Sequence, residues 1–331
     1  MSSSTTREHL AVESFLEQLR VVRQLSPHTL KAYHQDLNIL CENLALESLD
    51  LHLVRASHIR SWVAKLHSGG AAPRSIARLL SAWRTFFDWL ALPLPSLGIT
   101  EIKTNPVQDI KAPRKAKNLP KALSVEYAIV LMEKAQTEST YYDQDPFAWA
   151  NVRDHALVEL FYSSGLRLSE ILGLDATLSY GYPAKAAGWI AWDSAEVHVL
   201  GKGGKRRIVP IGSAAMQALH AWFAVWTEML QKQDHQDGPF FINEKLQRLS
   251  PRTVQARLKH LAIRAELPVH VHPHMLRHSF ASHVLQSSHD LRAVQEMLGH
   301  ASIGSTQIYT SLDFQHLAQA YDLAHPRAKT K

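Results

Sequence analysis

Cysteine is almost absent from this chain: among 331 residues only Cys41 is a cysteine. One cysteine cannot form an intrachain disulfide or a multi-cysteine metal site, so the sequence suits a reducing compartment. Long hydrophobic runs are missing too. The most apolar stretch, at 89–99, contains Pro93 and Pro95 and falls short of the ~20 residues that span a bilayer. Because charged residues also precede any apolar run at the N-terminus, we expect a cytoplasmic protein without membrane insertion.

Acidic residues are outnumbered, with 30 Asp and Glu against 36 Lys and Arg, a net charge of +6 with neutral histidines. Glycine (14) and proline (15) are sparse and 46% of residues are hydrophobic, which excludes disordered and collagen-like classes. The length predicts about two domains. The positive charge favours a polyanion as the partner, and nucleic acid is expected rather than a membrane surface.

The first hundred residues show helical periodicity. Apolar residues recur three or four positions apart near Phe15, after the Ser26-Pro27 start signal, around Trp62 and from Arg74 onward. These patterns predict a helical N-terminal domain over 1–101.

A basic, proline-interrupted segment follows at 102–121, with six Lys and Arg against Asp109 alone. It is predicted to be an extended linker. Two interpretations stay open for it, a solvated tether or a strap that follows a phosphate backbone.

Helical patterns return over 122–331, with one exception. From Trp189 to Pro210 apolar and polar residues alternate around the glycine turn at 201–205, which predicts a small antiparallel sheet. The expected fold class is therefore mainly α, a helical N-terminal domain joined to a mostly helical second domain with a small antiparallel β-sheet.

Four segments carry the polar groups suited to chemistry: GLRLSE at 165–170, GKGGKRR at 201–207, HVHPHMLRHSFASHVL at 270–285 and LGHASIGSTQIYT at 298–310. His274 and His278 have metal-ligand spacing, but HMLRH lacks the glutamate of a zinc-protease motif and holds Arg277, so no metal is expected. His274 and Arg277 lie three apart, which puts a proton-transfer group and an oxyanion binder on one helix face. Taken singly, each segment also fits a solvated surface or, for Tyr309, a core position.

Together, and in this order, the four segments resemble the tyrosine recombinases, and more closely their Xer group. The nine-residue interval from His300 to Tyr309 matches that family, as do SPHTLKAYHQDL at 26–37, NP at 105–106, LPKALS at 119–124 and the tail at 314–329. The tail resembles the XerC type more than the XerD type. The family fold implies that the N-terminal domain is a SAM-like core-binding domain and that 122–331 is the catalytic domain.

The resemblance implies a catalytic set of six residues. Tyr309 would attack a DNA phosphodiester and form a 3′-phosphotyrosyl link, with His274 as its base. Arg167 and Arg277 would bind the non-bridging oxygens, Lys202 would protonate the leaving 5′-oxygen, and His300 would position the phosphate. The tyrosyl link conserves the phosphodiester energy, so neither ATP nor a metal is expected.

The resemblance also implies the partners: double-stranded DNA at a dif-type site, a XerD-like recombinase in a heterotetramer, and an FtsK-type DNA translocase. Candidate DNA contacts were chosen by residue type and position near predicted helix starts or in the glycine turn. They are Thr29, Arg74, Arg78, Lys205, Arg206, Arg207, Arg252, Thr253 and Arg257.

One departure from the Xer pattern is a long interval between Arg167 and Lys202, which predicts an enlarged loop at 179–189. It leaves open whether Lys202 or Lys205 is the lysine that protonates the leaving oxygen. Three alternatives to a chromosomal recombinase are a mobile-element integrase, a non-catalytic architectural DNA-binding protein and, more distantly, a zinc hydrolase.

Overall fold

The computed structural model describes residues 2–92, 102, 104–113, 122–140, 148–177, 187–201, 206–231, 237–288 and 290–299. The chain divides into two compact units, Met1–Asn118 and Leu119–Lys331. Within the described ranges, no helix is both long enough and apolar enough to cross a membrane.

The first unit is helical, as the periodicity predicts. Its helices are α1 (Ser2–Val21), α2 (Pro27–Leu46), α3 (Ala56–Ser68) and α4 (Pro73–Leu90), with a 3₁₀ turn at Leu51–Leu53. The Ser26 side chain accepts a hydrogen bond from the Thr29 N–H at 3.2 Å, which caps α2.

Aromatic side chains fill the core of this first unit. Trp62 and Trp83 are fully buried and meet edge to face, with ring centroids 6.1 Å apart. Each indole N–H has a partner: Trp62 donates to the Glu47 carboxylate at 2.8 Å, and Trp83 donates to the Asp36 carbonyl oxygen at 2.7 Å. The polar edges of both rings are thus satisfied inside the core.

The structure differs from the expected extended linker over 104–113. Val107 and Ile110 are buried in the core of the first unit, and Arg84 of α4 donates to both of their carbonyl oxygens, at 3.3 and 3.1 Å. The Asn105 side chain also donates to the Arg84 carbonyl oxygen at 2.9 Å. This half of the predicted linker is therefore packed onto α4, because two apolar residues in a basic segment suffice to anchor it. The two units divide between Asn118 and Leu119, inside the segment.

The second unit is mostly helical with small sheets, which together with the first unit confirms the expected fold class. Its helices are α5 (Val125–Thr140), α6 (Trp149–Ser164), α7 (Leu168–Leu172), α8 (Ser213–Gln231), α9 (Pro251–Arg264), α10 (Pro273–Ser288) and α11 (Leu291–Leu298). Its strands are β1 (Asp175–Thr177), β2 (Gly188–Ala191), β3 (Glu196–Leu200), β4 (Arg206–Pro210) and β5 (Asp237–Pro239).

The strands form two antiparallel sheets. In the predicted one, β3 lies between β2 and β4, with Trp189 opposite His198 and Val197 opposite Val209. The pairing of β1 with β5 was not predicted. Each of these strands has three residues, too few to show an alternating pattern.

Helix α6 is the central element of the second unit. It packs on α5, α8 and α10, and from residue 155 to its end at Ser164 every residue is buried. A helix that is buried nearly all round has no solvent face and lies in a core. The segment that carries Arg167 follows directly after its C-terminal end.

Candidate active site

The turn after α6 can be formed only by glycine. Gly165 has φ +58°, and a Cβ at this position would lie 2.2 Å from Cδ1 of Phe280. Left-handed backbone and close contact together exclude a side chain. The glycine of GLRLSE thus lets α6 pack closely against α10 and lets the chain turn into α7.

Arg277 projects from α10 into this turn and is 6% exposed. Its two terminal nitrogens donate to the carbonyl oxygens of Gly165 and Leu298, each at 2.6 Å. Among the described residues, no carboxylate lies within salt-bridge distance of it. Burial, followed by the nearby charge of Arg167, lowers the pKa of Arg277 to about 10. A buried cation without a bonded carboxylate favours a site that takes an anion.

Arg167 reaches the same place from the start of α7. One terminal nitrogen donates to the Glu170 carboxylate at 2.8 Å, and the other lies 3.4 Å from the Gly299 carbonyl oxygen. Arg167 and Arg277 thus donate to consecutive carbonyl groups at the C-terminal end of α11. His300 is the next residue in the chain, so the structure brings both predicted arginines to the start of the segment that holds His300 and Tyr309.

Glu170, which the sequence analysis did not select, is the carboxylate that binds Arg167 and Arg207. Its carboxylate accepts the Arg167 N–H at 2.7 Å and two hydrogen bonds from Arg207 at 2.8 Å each. Burial alone would raise the pKa of Glu170, but the bonds and charge of Arg207, then the bonds from Arg167, lower it to about 2. The signal available was a glutamate three residues after Arg167, the spacing of a helix-start acid.

Arg207 requires a correction, because it was expected to contact DNA. Its side chain is 5% exposed, pairs with Glu170 through both terminal nitrogens, and donates from Nε to the Met297 carbonyl oxygen at 3.0 Å. Along β4 residues alternate in direction, so Arg207 shares the inward face with buried Val209. A guanidinium bound to a buried carboxylate on that face is part of the interior.

Helix α10 is fixed by a buried chain of hydrogen bonds to the segment before α5. The Leu123 N–H donates to the Ser279 hydroxyl at 2.8 Å, and its carbonyl oxygen lies 3.0 Å from His283 Nε2. His283 Nδ1 lies 2.8 Å from the Tyr162 hydroxyl. Burial lowers the pKa of His283, which suits a neutral ring that donates to the carbonyl and accepts from the tyrosine.

His274 lies in the first turn of α10, exposed, on the helix that also carries Arg277. Its neighbour His272 accepts the Met275 N–H at 3.1 Å through Nδ1 and so caps the helix start. Burial, then the proximity of His274, lowers the pKa of His272. The predicted base is therefore accessible to solvent on the element that holds one predicted phosphate binder.

Four site residues, Lys202, Lys205, His300 and Tyr309, lie outside the described residues. Residues 179–186 of the expected loop also lie outside them, whereas Gly188 and Trp189 begin β2. Their predicted roles are unchanged.

Two predicted DNA contacts of the second unit are exposed cations. Arg206 begins β4 with its guanidinium carbon 5.0 Å from the centroid of the Trp189 ring, which fixes the side chain by a cation–π contact. Arg252 lies in the first turn of α9.

Thr253 and Arg257, also on α9, are engaged within the protein. The Ser250 side chain caps α9 by accepting the Thr253 N–H at 3.0 Å. Arg257 binds the Asp154 carboxylate and donates to the Asn151 side chain at 3.0 Å, and it remains half-buried.

In the first unit both Arg74 and Arg78 are exposed, but Arg78 also donates twice to the buried Asp36 carboxylate, at 2.9 Å each. Thr29 is half-buried beside the Ser26 cap, with the two hydroxyl oxygens 2.9 Å apart. Arg78 therefore has a structural task that Arg74 lacks.

Comparison with known proteins identifies the class. Residues 131–316 match the phage integrase family, and residues 12–92 match the N-terminal SAM-like domain of phage integrases. The chain belongs to the phage integrase family of tyrosine recombinases, which confirms the resemblance seen in the motifs. It is a site-specific recombinase, an enzyme that cleaves and rejoins DNA.

The curated relatives specify the type. The chain is 50% identical over 327 residues to Tyrosine recombinase XerC 1 of Ralstonia nicotianae (98% of this chain, 95% of that protein). It is 45% identical over 323 residues to Tyrosine recombinase XerC of Pseudomonas aeruginosa (97% and 96%). The chain is therefore XerC-like, as its tail indicates.

Solved structures share the fold at low identity. A XerH site-specific recombinase bound to palindromic difH substrate, in a post-cleavage complex, superposes with a TM-score of 0.64 at 21% identity (94% of this chain, 83% of that one). A lambda integrase (75–356) dimer bound to a COC′ core site gives 0.60 at 16% identity (91% and 99%). Both likenesses agree with the mainly α fold.

Proposed function

We propose that this protein resolves chromosome dimers in the cytoplasm by recombination at a dif-type site, together with a XerD-like partner. The support is the extent of identity to XerC proteins and the site around Arg277. The observation that carries the chemistry is that Arg277 and Arg167 donate to the consecutive carbonyl groups of Leu298 and Gly299, directly before His300, with only Arg167 bonded to a described carboxylate. Two cations in a partly desolvated site match one phosphodiester.

In the proposed reaction Tyr309 attacks the scissile phosphorus and forms the 3′-phosphotyrosyl bond. The phosphorus–oxygen bond to the 5′ side breaks, His274 takes the phenolic proton, and Lys202 gives a proton to the leaving 5′-oxygen. A 5′-hydroxyl of the second strand then attacks the phosphorus and gives its proton back to Lys202. The phosphorus–oxygen bond to Tyr309 breaks as His274 returns a proton to the phenolic oxygen, which restores the tyrosine. Each step forms one phosphorus–oxygen bond and breaks another, so the proposed reaction uses neither a nucleotide nor a metal ion.

Arg167 and Arg277 are proposed to bind the non-bridging oxygens. Each hydrogen-bonds through two of its five N–H groups in the structure, so each keeps donors for a phosphate. Removing one such donor typically costs about 10²–10³ in rate.

The proposed partners are those that the resemblance to Xer recombinases implies. We propose that two copies of this chain and two XerD-like subunits assemble on dif, and that an FtsK-type translocase activates them. Among the candidate DNA contacts, Arg74, Arg206 and Arg252 are exposed and bound to no carboxylate in the described part of the chain, so we propose that they contact the duplex, together with Lys205 outside the described residues.

The test uses a nicked suicide duplex that carries a dif-like site, without metal or ATP, and denaturing electrophoresis. We expect a DNA-linked protein band with the wild type and none with Tyr309→Phe, which should bind duplex almost equally well because one hydroxyl contributes little to a cationic interface. Omission of the XerD-like partner shows whether this subunit cleaves alone. Cleavage of mobile-element attachment sites but not of dif would overturn the chromosomal role.

A further inference from the structure

Three arginines from three elements meet the last turn of α11, and each donates to a different carbonyl. Arg207 of β4 donates to Met297, Arg277 of α10 to Leu298, and Arg167 at the start of α7 to Gly299. Helix C-terminal carbonyls lack intrahelical partners and carry partial negative charge, so cations stabilise them. Guanidinium donors thus bind three consecutive carbonyl groups before His300, beside the αL turn at Gly299 and the buried side chains of Met297 and Leu298.

Arg207 differs from the other two because it is neutralised. Both of its terminal nitrogens bind the Glu170 carboxylate, and Glu170 in turn holds the Arg167 side chain through Oε1. The planar fork of arginine fits a carboxylate and a carbonyl oxygen simultaneously, which the single ammonium of lysine cannot do.

We propose that Arg207 is a positioning residue for DNA cleavage: acting through Glu170 and Met297, it holds the Arg167 guanidinium and the end of α11 in the arrangement that receives the phosphate. The inference rests on the proposed role of Arg167. Arg207 itself touches no reacting atom.

Loss of Arg207 has a specific consequence for Glu170. The charged groups that face Glu170 from the described elements around it are Arg167 on α7, Arg207 on β4 and Arg277 on α10. Arg207 is the largest influence that keeps the Glu170 carboxyl ionised, against burial. Without it the carboxyl takes up a proton at a higher pH, and a protonated carboxyl is a weaker partner for Arg167.

The test compares cleavage of the nicked dif duplex by the wild type, Arg207→Met, Arg207→Lys and the double variant Arg207→Met, Glu170→Gln, in single turnovers from pH 5 to 9. For Arg207→Met we expect a rate reduced about 10–100-fold near neutral pH, with DNA affinity changed less than about threefold. The acidic limb of its rate profile should be displaced to higher pH, since Glu170 loses the partner that contributes most to its low pKa. The double variant, which has no carboxyl, should lose that displacement, and Arg207→Lys should keep the wild-type limb but not the full rate.

Arg153→Met is the matched control. Arg153 is a buried arginine of the same unit, 4% exposed, which binds the Asp154 carboxylate and the Ile242 carbonyl oxygen. It should lower stability similarly without displacing the pH profile. Hydrogen exchange gives a readout independent of DNA: the 291–299 peptide should exchange faster in Arg207→Met and not in Arg153→Met.

The outcomes separate this inference from the proposed function. If Arg167→Lys cleaves like the wild type, the proposed role of Arg167 fails. Suppose instead that Arg167→Lys loses cleavage but Arg207→Met matches Arg153→Met in rate, pH profile and hydrogen exchange. Arg207 is then only a stability residue, and the inference is overturned. If Arg207→Met does not fold, Arg207→Lys takes its place in this comparison.

Discussion

Replacing Gly165 with alanine tests how the α6 to α7 turn builds the site. Two costs add. A left-handed conformation costs an L-residue about 1–2 kcal/mol, and the new methyl would lie 2.2 Å from Phe280, an overpacking that costs about 1–3 kcal/mol more. We expect Gly165→Ala to destabilise the second unit by about 2–5 kcal/mol.

The measurements are thermal and urea unfolding, with the transitions of the two units followed separately. For a unit of this size each kcal/mol lowers Tm by about 2–4 °C, so the fall should be about 4–20 °C. Because the Gly165 carbonyl oxygen accepts from Arg277, DNA cleavage by the folded fraction should fall as well.

Gly70→Ala is the control for backbone strain alone. Gly70 has φ +87°, and no atom lies within 4 Å of its virtual Cβ, so only the conformational cost applies. Phe280→Val supplies the second arm of a double-mutant cycle. If Gly165→Ala costs no more than Gly70→Ala, or costs the same in the Phe280→Val background as in the wild type, the steric reasoning is refuted.

Arg78→Met should destabilise the first unit by about 1–3 kcal/mol in urea unfolding, because it leaves the buried Asp36 carboxylate unpaired; an unchanged midpoint would disprove that pairing. Arg74→Met, at an exposed site, should change stability by less than about 0.5 kcal/mol and weaken duplex binding with a smaller salt dependence. Ser250→Ala should cost about 1 kcal/mol by removing the α9 cap, with Ser250→Asn restoring most of it; equal stability of all three proteins would contradict the cap.

The helices and the three-stranded sheet were predictable because their signals are local. Ser26-Pro27 marks a helix start by its own side chain and ring, and the alternation on both sides of the glycine turn at 201–205 fixes a hairpin. The resemblance of four ordered motifs supplied the class of enzyme and the predicted pair Arg167 and Arg277.

The Glu170–Arg207 pair could not be read in the same way. The two residues are 37 positions apart, and each stands in a segment whose composition suggests another role, a helix start and a cationic turn. Strand alternation did contain the signal, since Val209 faces inward and Arg207 lies two residues before it. An inward arginine needs a buried acid, but sequence alone does not say which one.

Charge balance supports the proposed binding of a phosphate at this site. Three guanidinium groups lie near one described carboxylate, that of Glu170, which bonds Arg207 and Arg167. One carboxylate balances one cation, so two positive charges remain in excess among these groups. In the described part of the chain Arg277 is held by carbonyl oxygens alone, whereas Arg167 is held by the Glu170 carboxylate and the Gly299 carbonyl oxygen. In the proposed complex a phosphodiester brings a full negative charge to the remaining N–H donors of Arg167 and Arg277. The bonds between Arg207 and Glu170 need not change, so the contacts that orient Arg167 stay in place when the phosphate binds.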